Sequence, residues 1–325
     1  MKKMWLLQHN IVGGAGKLIY DGYSNACSNL GYETYYFVGD DNEIQTLLDY
    51  KSKGIEYNFM LTDHIYKVWL DLAKEHGVET ELKEAFSGAE KIYMFTQPEK
   101  FPMPWGTHPN YVTTNTVDSI KEINNKSNIL KWTFVDCDSI KQTCFPNWDK
   151  IERVPLAFDN VSYKYLEDKK YNYDVCFVGG RANNGFDEKY KIMMSHFSAF
   201  KDSGLKCGIF VGKNLTHEQE NKLLYNSKVS INIHDAYQRE LGLDTNERTF
   251  KALGLTGVLV SDDIWQLKKI FPDVKTTNDP KEMVKFVKEY VNMPEEELNS
   301  IKEKNRKMIL ENHTYAHRVK QLLEL

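Results

Sequence analysis

The sequence predicts an α/β protein made of two Rossmann-like domains facing each other across a cleft. Three observations predict it. Short apolar runs alternate with amphipathic stretches along the chain, as strand–helix units require. Two such series of similar size follow one another, which implies two doubly wound domains with a crevice between them. The length of 325 residues suits two domains of about 150 residues each. The boundaries read from the sequence are 1–155 for an N-terminal domain, 156–308 for a C-terminal domain, and 309–325 for a terminal helix.

In the first half, Met4–Gln8 reads as a buried strand, followed by Gly13-Gly14-Ala15-Gly16 and a helix from about Lys17 to Leu30. Gly31 can close that helix in a left-handed conformation, and Thr34–Val38 is the next strand. Ile44–Lys53 and His64–His76 are helical by their apolar spacing. Lys91–Phe95 is a strand, Phe101–Pro109 a Pro-rich loop, and Trp132–Val135 the last strand of this half. In the second half, Val175–Val178, Cys207–Val211, Val229–Ile233 and Val258–Val260 read as strands. Lys189–Lys201, a stretch from Thr216 to Asn226, and Thr249–Leu255 read as helices between them. From Pro280 onward the chain is charged amphipathic helix, with Pro294-Glu295-Glu296-Glu297 a start signal. There is no internal repeat and no low-complexity segment.

Composition excludes several classes. An apolar share of 41% provides for packed cores. A formal charge of −4 gives no global attraction to nucleic acid. Five cysteines without a CxxC pair offer no zinc framework and read as a reduced compartment. The opening MKKMWLLQHN has only four apolar residues after its lysines, too few for a signal peptide, and no stretch approaches a membrane span. The expectation is a cytoplasmic protein.

The most informative segment is Lys228–Asp263, a strand, a polar loop, a helix, a small-residue turn and another strand. Asn246, Arg248 and Thr249 cluster at the helix start, where backbone N–H groups and the dipole favour an anion. Arg248 adds a rigid fork for phosphate oxygens. From these residues alone an ordinary helix cap with a surface arginine reads equally well. Gly179-Gly180-Arg181 follows a strand, where glycines let backbone approach a pyrophosphate and Arg181 can pair with it. Gly13-Gly14-Ala15-Gly16-Lys17 is not a P-loop, because Ile11 stands where a glycine is needed and Leu18 where Ser or Thr would hold magnesium. Asp136-Cys137-Asp138 spells an acidic pair able to hold a divalent ion, a pattern also common by chance, and no metal site is assigned.

Taken in order, these stretches resemble the CgeB/YkvP-type glycosyltransferase family, a branch of the GT-B class. The stretches are Val154–Asp159, Tyr173–Gly179, Asn232 with His234, Arg248-Thr249-Phe250, Thr256-Gly257, Ser261-Asp262, and His313-Thr314-Tyr315 with Arg318. The resemblance implies a GT-B fold whose terminal helix returns toward the first domain. It implies transfer of a sugar from a nucleotide-diphosphate donor to a hydroxyl acceptor, whether glycan, protein, metabolite or modified DNA base. It implies donor contacts from Gly13, Gly14, Gly179, Gly180, Arg181, Asn232, His234, Asn246, Glu247, Arg248, Thr249, Lys251, Thr256 and Gly257. No resident cofactor is expected, and Arg181, Arg248 and helix N-termini would stabilise the leaving diphosphate without a metal. A base, if the reaction inverts configuration, would be His9 or Asp21; if it retains configuration, the leaving phosphate can do that work. Lys251 stands where the family carries Glu. A lysine cannot accept hydrogen bonds from donor hydroxyls, but it can neutralise a diphosphate or a sugar carboxylate. That departure implies a different donor, transfer of the acid's role to Glu247, or loss of turnover. A DNA-base transferase of the phage type and a sugar-nucleotide-binding protein without turnover are the alternatives.

Overall fold

The computed structural model describes residues 3–9, 15–95, 128–131, 150–180, 187–212, 215–235, 238–239 and 245–325. It is an α/β protein with two parallel sheets. The chain divides into two compact units, Met1–Pro155 with Ala316–Leu325, and Leu156–Tyr315.

The first unit holds strands β1 (Met4–Gln8), β2 (Glu33–Phe37), β3 (Tyr57–Thr62), β4 (Lys91–Phe95), β5 (Asn128–Lys131) and β6 (Lys150–Arg153). They lie in the order β2-β1-β3-β4-β5-β6, all parallel. Helices α1 (Ala15–Asn29), α2 (Asp41–Ser52), α3 (Asp63–His76) and α4 (Glu79–Gly88) connect the first four. Gly31 ends the first helix with φ +87°, as its position predicts. Aromatic packing fills this core: Trp5 stacks on Tyr93 at 5.0 Å and Phe59 on Phe86 at 4.1 Å. One expectation is corrected here. The strand that closes this series is β6, well after Trp132–Val135, because Lys150–Arg153 pairs in register with β5. Trp132–Val135, Phe101–Pro109, Asp136-Cys137-Asp138, Gly13, Gly14 and Arg181 lie outside the described residues.

The second unit holds β7 (Val175–Gly179), β8 (Cys207–Val211), β9 (Val229–Asn232), β10 (Leu259–Ser261) and β11 (Lys275–Thr276) in the order β11-β10-β9-β7-β8. The helices are α5 (Asp187–Lys201), α6 (His217–Asn226), α7 (Glu247–Leu255), α8 (Trp265–Ile270), α9 (Pro280–Val291) and α10 (Glu295–Asn312). Local chemistry starts several of them. Thr216 and Gln219 form a reciprocal capping box on α6, and Asp279 caps α9 ahead of Pro280. Val175, Phe177, Ile231, Val260, Met283 and Val287 are buried in one cluster. Each such side chain contributes about 1.5–3 kcal/mol relative to exposure.

The terminal segment expected over 309–325 is two pieces. Residues up to Asn312 finish α10, and a break at His313 precedes α11 (Tyr315–Leu323). From Ala316 the chain counts with the first unit. There Arg318 Nε donates to the Pro155 carbonyl at 2.9 Å, and Tyr93 Oη donates to the Leu322 carbonyl at 3.1 Å. No helix among the described residues is long and apolar enough to cross a membrane.

Candidate functional site

The second sheet changes winding direction between β7 and β9. The chain runs from β7 outward to β8, then returns to place β9 on the other side of β7. Parallel sheets bind ligands at the carboxyl ends of strands flanking such a point. Here the two strands pair only at Val175–Val229 and Cys176–Ser230, then separate. Backbone groups at that opening need other partners.

Arg248, in the first turn of α7, supplies them. Its Nε donates to the Val178 carbonyl at 2.8 Å, and one terminal nitrogen donates to Asn232 Oδ1 at 2.7 Å and to the Ile233 carbonyl at 3.4 Å. The guanidinium lies over the Phe177 ring, 5.0 Å from its centroid. The other terminal nitrogen, Nη2, sits so close to Gly179 that a Cβ there would be 2.5 Å away. A side chain at 179 would therefore displace the guanidinium from this position. Three of the five guanidinium N–H groups are directed by these bonds, and the Nη2 pair has no hydrogen-bond acceptor among the described residues. Gly180, next in the chain, is exposed.

A buried polar network holds this arrangement from behind. Because Arg248 only donates, Asn232 must turn its carbonyl oxygen toward it. The Asn232 amide nitrogen then donates to Asn246 Oδ1 at 2.9 Å and to Thr249 Oγ1 at 3.0 Å. His234 is fully buried, with Nδ1 2.6 Å from Asp262 Oδ1 and Nε2 2.8 Å from the Thr245 hydroxyl. The carboxylate only accepts, so Nδ1 carries a proton. Both nitrogens are thus occupied within the protein, and His234 acts on the loop, not on a substrate. Asp262 also accepts from the His234 backbone N–H at 2.9 Å and from Arg239 at 2.8 Å.

Burial alone would push the Asp262 carboxyl upward, but His234 and Arg239 hold it well below the usual carboxylate range. A carboxyl depressed on folding adds stability above its unfolded pKa of 3.8 and loses it as pH falls below that value. We expect Asp262→Asn to cost roughly 1.5–3 kcal/mol at neutral pH. Urea unfolding followed from neutrality to acid should show the gap to the parent protein closing only below pH 3.8. A constant gap across that limb would contradict this account.

Two more charged groups converge here that sequence reading left out. Lys189, on α5, is 4% exposed and ion-paired to Asp235 directly after His234. Burial lowers its pKa despite that partner, and the nearby Arg248 charge lowers it further. Arg239 is the second. Its neighbourhood to Asp262 depends on the loop after β9, and nothing in the local spacing announces it.

The other expected site residues divide. Glu247 stands at the start of α7, one turn before Lys251. Lys251 is 5% exposed, its Nζ 2.5 Å from Glu220 and 3.4 Å from Glu247, and it also donates to Tyr163 Oη at 3.3 Å. Burial opposes its charge, but Glu247, Tyr163 and Glu220 outweigh that and hold its pKa well above the ordinary lysine value. Its charge is therefore neutralised inside the unit, which corrects the idea of a free cation for the donor. Thr256 and Gly257 lie at the opposite, C-terminal end of α7. The Thr256 hydroxyl donates to the Leu224 carbonyl at 2.7 Å, and a Cβ at Gly257 would meet the Lys302 backbone at 2.6 Å. Their role is packing, a correction to their placement among donor contacts. In the first unit, His9 follows β1 and packs edge-on against Tyr36 at 5.7 Å, while Asp21 accepts from Lys17 and from Tyr36 Oη. Both candidate bases thus meet at one tyrosine, and Asp21 already holds two donors.

Residues 168–324 match the family model described as glycosyl transferase-like. No curated protein matches the chain significantly. Among solved structures, T4 phage BGT in complex with UDP and Mn2+ has a TM-score of 0.54 at 14% identity, with 100% of both chains covered. T4 phage BGT in complex with its UDP-glucose substrate has a TM-score of 0.52 at 12% identity, again with 100% of both chains covered. AviGT4, a glycosyltransferase involved in Avilamycin A biosynthesis, has a TM-score of 0.50 at 10% identity, covering 100% of this chain and 96% of that one. The fold is GT-B. On that fold, residues 168–324, just under half of the chain, are similar to glycosyl transferase-like proteins.

Proposed function

We propose that the protein transfers a sugar from a nucleoside-diphosphate donor to a hydroxyl acceptor, and that the diphosphate is held at the β7–β9 opening. One observation carries this reading. Arg248 is locked by Val178 and Asn232 with its Nη2 pair left unpaired beside Gly179, at the start of α7. A fixed fork beside a helix N-terminus and exposed glycine backbone is suited to a diphosphate. Such donors act hardest on charge that develops as the sugar–phosphate bond breaks. The UDP present with T4 phage BGT supports a nucleoside-diphosphate ligand on this fold. The ordered landmarks shared with the CgeB/YkvP-type family support the same placement.

The pairing of Lys251 bears on the donor clasp. Glu247 is held by Lys251 at 3.4 Å, one helical turn before the position where the resembling family carries its acid. An acid therefore remains in this region to accept hydroxyl hydrogen bonds, which supports Glu247 in that role and turnover over mere binding. Arg181 and the glycines Gly13 and Gly14 belong to the same proposal, from the sequence alone. For the acceptor, His9 is preferred to Asp21 as a base, since Asp21 is already bound by Lys17 and Tyr36.

The leaving diphosphate is stabilised in this reading by Arg248 and the α7 N-terminus, without a divalent ion. The test is release of nucleoside diphosphate from a panel of nucleotide sugars, with EDTA in one arm and Mn2+ in another. Turnover of one donor that persists in EDTA is the expected result. Turnover only with the metal would overturn the metal-independent part, and no binding of UDP or GDP by calorimetry would overturn the site itself.

A further inference from the structure

We propose that the second unit carries a separate anion site, built around Lys302 at the opposite end of its sheet, which takes a phosphate group. Three lysines among the described residues are more than nine-tenths buried: Lys189, Lys251 and Lys302. The first two have carboxylate partners, Asp235 for one and Glu220 with Glu247 for the other. Lys302 has none among the described residues. Its ammonium donates one hydrogen bond, to the Ser227 carbonyl at 2.8 Å, although it carries three N–H groups. A buried cation without a counter-ion is costly, and a bound anion would remove that cost.

The surroundings fit such an anion. Lys302 lines a cavity of about 420 Å³ together with Lys169, Lys228, Asn172 and Asn299, and the only carboxylate in the lining is Glu295. Lys228 is shared with Asp174 at 2.9 Å, while Lys169 and the two amides face outward at the rim. Met293 and Leu298 add an apolar wall. A tetrahedral oxyanion can accept from several of these donors at once, and the apolar wall leaves room for a small organic group on the phosphate. The site is distinct from the β7–β9 opening. It lies by the amino ends of the strands, where Lys302 backbone packs against Gly257 beyond the C-terminus of α7.

The charged groups around the Lys302 ammonium also set its pH dependence. Burial is the largest cause that brings its pKa down, to about 8, and Arg306 and Lys228 lower it while the Cys176 thiol opposes them. Binding should therefore weaken as pH rises above about 8, where the ammonium loses its proton.

Thermal unfolding of the full chain, at ionic strength held constant with chloride, tests this with inorganic phosphate in one arm and glucose 6-phosphate in the other. Both the parent protein and Arg248→Met should gain Tm with added phosphate; Lys302→Met should bind at least ~10-fold more weakly. A larger gain with glucose 6-phosphate assigns a phosphomonoester, and a larger gain with phosphate assigns the free ion. Asn299→Asp, an exposed change that leaves the core alone, should weaken binding even if Lys302→Met folds poorly. No gain in the parent protein, or equal gains in the parent and both site variants, would overturn the proposal. Loss of the gain in Arg248→Met alone would move the phosphate to the donor site and overturn it equally. The donor reading is judged by nucleoside-diphosphate binding and survives either outcome.

Discussion

Arg248→Met should lower donor turnover by about 10²–10³-fold, the loss seen when one fixed donor to developing charge is removed. The expectation rests on how completely the guanidinium is positioned before any ligand arrives. Its Nε and one terminal nitrogen are spent on Val178 and Asn232, across the place where β7 and β9 stop pairing. A preorganised donor needs no rearrangement when charge appears, so its removal should act on kcat as well as on KM. Arg248→Lys separates charge from geometry. A lysine keeps the cation but cannot bond Val178 and Asn232 while presenting a further N–H pair to a diphosphate. It should therefore fall close to the methionine variant. Steady-state kinetics, beside circular dichroism to confirm folding, measures both. A lysine variant with near-normal kcat would mean that charge alone suffices and that the locked fork is incidental.

What was legible in the sequence follows from how local each signal is. In the second unit, apolar runs end at glycines or at capping residues, and Cys207–Val211 is bounded in the structure as it reads in the chain. Arg248 was readable as an anion donor because a helix start is a local feature. Its partners were not, since Val178 is 70 positions away and meets Arg248 only through parallel pairing. Lys189 was invisible for the same reason, because a lysine near the start of a helix reads as solvated. In the first unit, β3 escaped notice because no breaker separates it from α3. Thr62 is both the last strand residue and the cap that accepts from the Ile65 N–H at 3.4 Å. Helix α4 starts at Glu79 behind Val78, which offers no side-chain cap, so only the acids Glu79 and Glu81 in its first turn mark its start.

Lys251→Glu carries the sharpest test of how this chain departs from the family it resembles. The substitution installs the family's residue, so a reading by sequence alone expects improved donor binding. The structure predicts the reverse. Glu220 and Glu247 are 14% and 12% exposed at their side chains and share one cation. Replacing that cation by a third carboxylate leaves like charges confined together, and the fold should lose about 3–5 kcal/mol. For a unit of this size that is roughly 6–20 °C in Tm. Tyr163, whose ring lies 5.2 Å from the Lys251 ammonium, would lose its partner as well. The double variant Lys251→Glu with Glu220→Lys restores one cation and two carboxylates in the same space. It should recover most of the lost Tm, because the cation returns from α6 instead of α7. Recovery by the double variant, with loss in the single, would show that Glu220 and Lys251 act as one unit and that the family's acid was exchanged rather than lost. A single variant as stable as the parent would show instead that the three groups are solvated and independent. That outcome would return Lys251 to the list of residues able to meet a donor.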